Sequence, residues 1–261
     1  MKSQIISSVR QNGSGHEYQK TITIMSKANF LILFLLSFFC GFSQEEVSQD
    51  NLKTTVFSLT PRTRKVQQVN GLAIGLGYDI DANSTIKKVN GLNVEINPFT
   101  LLYFMFDDPT RRGFPEKSTM KINGLSIGTG HSNQNEDVTY SGLSVSLINT
   151  GFSCNGISVN GFYNYSTKMN GLHVSGIANV SKKMNGLGLS LSNSSEKLNG
   201  IQIGVFNDAN YFNGIQMGIY NNSSEYKGVQ IGLINKTKSK NGLQLGFWNI
   251  NNKRSFPFIN W

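Results

Sequence analysis

The feature that most limits what this chain can fold into is a short repeat. The triplet Asn-Gly-aliphatic begins at Asn70, Asn90, Asn123, Asn155, Asn170, Asn185, Asn199, Asn213 and Asn241, and Ser141 and Lys227 open degenerate copies. From Ser141 onward successive copies start 14, 15, 15, 14, 14, 14 and 14 residues apart, after earlier intervals of 20, 33 and 18. The late copies read Asn-Gly-Ile-Gln-Ile-Gly-Val-Phe-Asn from Asn199 and Asn-Gly-Leu-Gln-Leu-Gly-Phe-Trp-Asn from Asn241. Such self-similarity at a fixed period is the signature of a repeat architecture.

Within each copy the third, fifth and seventh positions are apolar (Ile201, Ile203, Val205) and the fourth and sixth are Gln and Gly. Alternation with period two predicts a strand with one buried face; on a helix the same residues would scatter around the axis. Placing the apolar residues inside, the usual arrangement, predicts Ile201, Ile203 and Val205 in the interior and Gln202 and Gly204 toward water. The ninth position is Asn in most copies (Asn193, Asn207, Asn221, Asn235, Asn249), and a mostly short, polar stretch follows before the next Asn-Gly. Each unit is one strong strand, a corner, and a weaker second stretch closed by a pair that accepts the positive φ of a tight turn.

The period separates two all-β architectures. In an antiparallel outer-membrane barrel successive strands alternate in direction, so the natural period is two strands, and long loops alternate with short turns. Here every unit looks alike. Equivalent units fit a parallel β-solenoid or β-roll with coils of about 14 residues, stacked about 4.8 Å apart with identical side chains in ladders. Eleven copies would span on the order of 50 Å. The barrel is the alternative, favoured by the aromatic ending Phe256-Pro257-Phe258-Ile259-Asn260-Trp261. In a solenoid the same aromatics would plug an open end whose unpaired edge otherwise recruits other chains.

The Gly-Leu-Gln-Ile-Gly-Leu-x-Asn style of Lys227 to Asn235 and Asn241 to Asn249 resembles that of exported surface-repeat proteins of Gram-negative bacteria, over about residues 69–261. The unit is also similar to the 14-residue coil of trimeric autotransporter adhesin heads, a left-handed β-roll, through Asn199, Gly200, Ile201, Ile203, Gly204, Asn207 and Ala209. Those heads are followed by a coiled-coil stalk and a membrane anchor, which the sequence up to Trp261 does not carry. Neither resemblance implies a catalytic residue.

The chain organises as follows. Residues 25–43 read as a signal peptide: Lys27, then the apolar run Phe30 to Cys40, then Gly41-Phe42-Ser43 as a cleavage site. The run is shorter than the roughly 20 residues a membrane span needs. Residues 1–24 read as an upstream extension of the gene, with Met25 the working start and Gln44 the first residue after cleavage. Phe38 and Phe39 before Cys40 argue against lipidation there. Residues 44–68 form a lead-in and 69–261 the β-repeat domain, with insertions at about 78–88 and 97–120. In the second, the apolar run Pro98 to Phe106 reads as a cap over the first coils, or as a patch for a membrane or partner.

The net charge of +9 raises the question of nucleic acid, but +3 of it lies in residues 1–43 and the remaining basic runs are short and lack interleaved aromatics. No nucleic-acid partner is expected. Candidate chemistry is sparse. Asp79, Asp81 and Asn83 have the opening spacing of a calcium loop, but Ser84 and Asn90 stand where Gly and Glu are needed. His131 and His173 are isolated and read as solvent-facing; Cys154 reads as a small buried side chain. Gly71, Gly75 and Gly77 belong to the repeat and Asp107 and Asp108 to a solvated turn. The sequence thus predicts no catalytic, cofactor-binding or metal site, and an exported, non-enzymatic surface repeat protein with a structural, adhesive or binding role. A surface, periplasmic or outer-membrane location follows, with an unidentified surface partner or ligand; association of identical chains and with the outer membrane stays open, as does a barrel acting as channel or anchor.

Overall fold

The computed structural model describes residues 53–60, 66–76, 86–98, 100, 105–106, 113–130, 138–239 and 242–261. The proposed leader, His131, the run 79–84 and Asp107–Asp108 lie outside the described residues. Ten strands form one sheet in chain order: β1 (Lys53–Thr60), β2 (Val66–Leu76), β3 (Lys88–Ile96), β4 (Met120–Gly128), β5 (Val138–Ser175), β6 (Ala178–Leu189), β7 (Ser192–Ile203), β8 (Phe206–Thr237), β9 (Leu243–Ile250) and β10 (Ser255–Asn260). Consecutive neighbours from β1 to β9 are parallel. This is a β-solenoid and not an antiparallel barrel.

The register copies the repeat. Asn70 pairs with Asn90, Asn90 with Asn123, and Asn123 with Ser141; Asn170, Asn185, Asn199 and Asn213 follow in the same way. The irregular early intervals therefore loop out of the coil without shifting the strands. The solenoid begins earlier than the first Asn-Gly, because β1, within the lead-in 44–68, pairs with β2 as a rung of its own.

The second position of each unit is held by glycine for two reasons. Gly200 has φ +144°, a region other residues avoid, and a Cβ there would fall on the carbonyl of Gly186 one coil back. At the sixth position a Cβ on Gly218 would lie 2.6 Å from the Asn207 side-chain nitrogen. The space a larger residue would take is used by the Asn row.

The facing of the strong strand is the reverse of the sequence expectation. Gln202, Gln216 and Gln230 are fully buried, whereas Ile203 is 38% exposed and Leu233 57%. Four inward rows fill the late coils: Gln at position four, Asn at nine, Ser, Ala or Thr at eleven, and the apolar residue before each Asn-Gly, namely Met169, Met184, Leu198, Phe212 and Tyr226. The physical reason is that a stacked amide satisfies itself. Gln216 donates to Gln202 at 2.9 Å, Gln230 to Gln216 at 2.9 Å and Gln244 to Gln230 at 2.9 Å. The second Asn row runs the other way, Asn193 donating to Asn207 at 3.0 Å and Asn207 to Asn221 at 2.8 Å. Paired in this way, buried amides escape the desolvation penalty that would keep them at the surface.

The two ends of the interior differ. In the early coils an apolar cluster, with Val69, Val89, Ile122 and Val138 together, sits beside scattered buried polar side chains such as Asn93 and Ser126. At the far end β10 turns back antiparallel onto β9. Its Asn260 is buried and donates to Gln244 at 3.3 Å and to the Asn249 carbonyl at 3.4 Å, taking the place on Gln244 that the next Gln takes in the earlier coils. The strand and Asn260 thus cover β9, whereas the aromatics expected to plug the end stay exposed, Phe258 at 72% and Trp261 at 60% with the Arg254 guanidinium 4.3 Å from its ring.

Pro98 to Phe106 does not read as the expected cap in its described part: Met105 and Phe106 are 69% and 80% exposed, and Thr100 is tied to Thr129 and Gly130. The end of that insertion instead runs along the middle coils, where Phe114 stacks on Tyr165 at 4.5 Å and Thr167 donates to the Pro115 carbonyl.

Candidate functional surface

The single-residue candidates resolve into interior structure. Cys154 is buried beside Asn149, Asn164 and Ser166, and burial pushes its thiol up to about 11. A thiol held protonated is a poor nucleophile. His173 corrects its expected exposure: it is fully buried in the row later occupied by Gln, with Nδ1 2.8 Å from Ser158 Oγ. Burial lowers it to about 4, outweighing a backbone hydrogen bond at Asn170 that raises it, so the ring is neutral and its Nε2 has no hydrogen-bond partner. Gly71 and Gly75 lie in β2, within the repeat. Among the described residues no three His, Cys, Asp or Glu side chains gather as a metal site.

What the strands do place together is two unlike walls. The first carries positions three, five, seven and eight outward, except that Ile148 of the copy from Ser141 is buried. Over 141–250 none of these positions is charged. Leu143, Ile157, Ile177, Leu191 and Ile219 are 40–55% exposed, and Phe247 69%. Taking about 20 Å for six strand residues and about 4.8 Å per coil, the eight late coils present roughly 750 Å². A typical monomer's largest apolar patch is about 300–600 Å². The row bordering this wall is mostly an Asn ladder, with Asn170 donating to Asn155 at 2.7 Å and Asn185 to Asn170 at 2.8 Å, and with Lys227 its one charged member over 141–250.

The second wall closes the coil from the other side, since Gln202 reaches across the interior to Ser195 and Gln230 to Ser223, each at 3.3 Å. Its outward positions are polar or charged: Lys183, Glu196, Lys197, Glu225 and Lys236 are exposed there. Where this wall turns into the next Asn-Gly, a concavity of about 450 Å³ opens among Lys197, Tyr211, Phe212, Glu225, Tyr226 and Ser239. Tyr226, buried against Phe212 with ring centroids 5.5 Å apart, forms its floor and donates to the Leu243 carbonyl.

The sequence reading missed the inward Gln row and the apolar row before each Asn-Gly. Both were signalled by identity of type at the same position in consecutive coils. It therefore also missed the apolar outer wall. Comparison of the chain with protein-family models, curated proteins and solved structures finds no match.

Proposed function

We propose that the protein is an exported, non-enzymatic surface repeat protein with a structural or binding role, and that the apolar wall is its working surface. One observation carries this reading: the coils turn their amides inward and their aliphatic side chains outward, on one wall and without a charge, over eight consecutive copies. Exposing that much apolar surface costs about 25 cal/mol per Å² relative to covering it, so a repeat that maintains it is built to have it covered. The leader-like segment Lys27 to Ser43 supports export to the cell surface, periplasm or outer membrane.

The test joins the two parts. The gene is expressed in full and the product followed by cell fractionation and mass spectrometry. The expected product begins at Gln44 and sits in the envelope or outside the cell. Its wall variant Leu233→Asp stays folded by circular dichroism but loses the associations of the parent chain. Retention of residues 25–43 in a cytoplasmic product contradicts export; a wall variant that keeps every association contradicts the assignment of the surface.

A further inference from the structure

We infer that the apolar wall is covered by a second copy of this chain, the two solenoids packing wall to wall across a two-fold axis. The inference rests on the working surface proposed above and names what occupies it.

Area is the first argument. Roughly 750 Å² from the eight late coils is close to the about 800 Å² that each partner contributes to a standard stable interface. Its composition has the anatomy of one, an apolar centre of Ile203, Met217 and Leu233 with a polar rim of amides such as Asn185 and Asn199 and the single cation Lys227.

Charge is the second. Between 141 and 250 the charged residues are Lys168, Lys182, Lys183, Lys197, Lys227, Lys236, Lys238 and Lys240 against Glu196, Asp208 and Glu225, a net +5, none of them at an outward position of the wall. Wall-to-wall packing turns these charges outward into solvent, where two like-charged chains repel least. A lipid surface fits less well. Cations that add to membrane binding must sit near the anionic headgroups. Here most of them lie on the far wall, one sheet spacing of about 10 Å away and so about a Debye length removed.

Periodicity is the third. Side-chain rows about 4.8 Å apart, on a twisted sheet, interdigitate along their whole length only with rows of the same spacing and twist, and a second copy supplies both. A two-fold axis makes the contact isologous and closed, so it ends at a dimer. The exposed edge of β9 offers no competing route, because β10 covers it.

The experiment is sedimentation of the full chain, expressed with residues 1–43 so that processing follows the cell's own course, at a series of micromolar concentrations without detergent. The parent chain is expected to be a dimer. The double variant Ile203→Asp/Leu233→Asp places four charges in the interface and should raise the dissociation constant at least about 100-fold, with an unchanged circular dichroism spectrum because both positions are exposed in the single chain. Glu225→Gln, on the far wall, should leave the dimer intact. A parent chain that is monomeric at micromolar concentration overturns the proposal, as does a dimer indifferent to the double variant. Cosedimentation of a monomeric parent with vesicles of anionic phospholipid, lost in the double variant, overturns the second copy and leaves the wall as the working surface. If neither self-association nor vesicle binding depends on the wall, the preceding reading fails with it.

Discussion

The early and late coils solve the same stacking problem with different interiors. From Val66 to Cys154 an apolar cluster of varied type shares the interior with scattered polar side chains such as Asn93, Ser126 and Ser144, and the intervals up to Ser141 run 20, 33 and 18 residues. From Asn170 onward the interior holds one apolar row beside amide and hydroxyl rows, and the interval, regular since Ser141, stays at 14 or 15. Apolar contact is non-directional, so the early coils accept Val, Ile, Met or Tyr in their interior. An amide ladder needs the same side chain at the same place in each coil, and the regular part of the sequence is where it occurs. Regular spacing begins at Ser141, ahead of the Gln row that starts at Gln202, so the directional ladder is built on coils that are already uniform.

Truncating one member of each interior should show the difference. Gln230→Ala removes the acceptor of Gln244 and the donor to Gln216, Ser223 and the Lys236 carbonyl. At about 1–3 kcal/mol for each buried group left unpaired, the loss in denaturant unfolding should exceed about 3 kcal/mol. Val89→Ala, fully buried in the early core, should cost about 2 kcal/mol. Equal costs, or a cheaper Gln230→Ala, would break the distinction between directional and non-directional interiors.

His173 stands between the two regimes, in the row that is Gln from Gln202 onward, and it gives the comparison a pH axis. Its folded pKa of about 4 lies below the ordinary value of about 6.5, so the unfolded chain takes up the proton first as pH falls. Stability is complete above about pH 6.5 and declines through the window down to about 4, by about 3 kcal/mol in all. His173→Gln should abolish that decline in urea titrations at successive pH values. A variant that retains the full decline would place its origin in another group.

The smallest effect belongs to the outer Asn row. Asn199 is exposed and donates to Asn185 at 3.2 Å. Asn199→Ser should change the unfolding midpoint by no more than about 0.5 kcal/mol, the range of surface substitutions. A loss as large as that of Gln230→Ala would show that the outer ladder holds the stack as firmly as the inner one.

Much of this fold is legible in the residues. The parallel stack, its coil length and its register follow from the Asn-Gly intervals, and the inward Asn at position nine follows from the way amides ladder. The facing of the strong strand does not follow, for a definite reason: alternation with period two separates two faces without saying which is buried, and a one-residue slip exchanges them. Hydrophobic residues inside is the ordinary answer, and here the repetition of Gln at 202, 216, 230 and 244 overrides it, because those side chains bond to one another. The apolar wall was hidden for that reason alone.

The facing can be tested with two substitutions one residue apart, measured at protein concentrations low enough to keep single chains. Gln202→Asp puts a carboxylate into the fully buried row and removes the amide that Gln216 bonds, whereas Ile203→Asp puts it at a position 38% exposed. In denaturant unfolding at neutral pH, Gln202→Asp should lose several kcal/mol and Ile203→Asp less than about 1 kcal/mol. A larger loss for Ile203→Asp would contradict the inward amide rows and the apolar wall together.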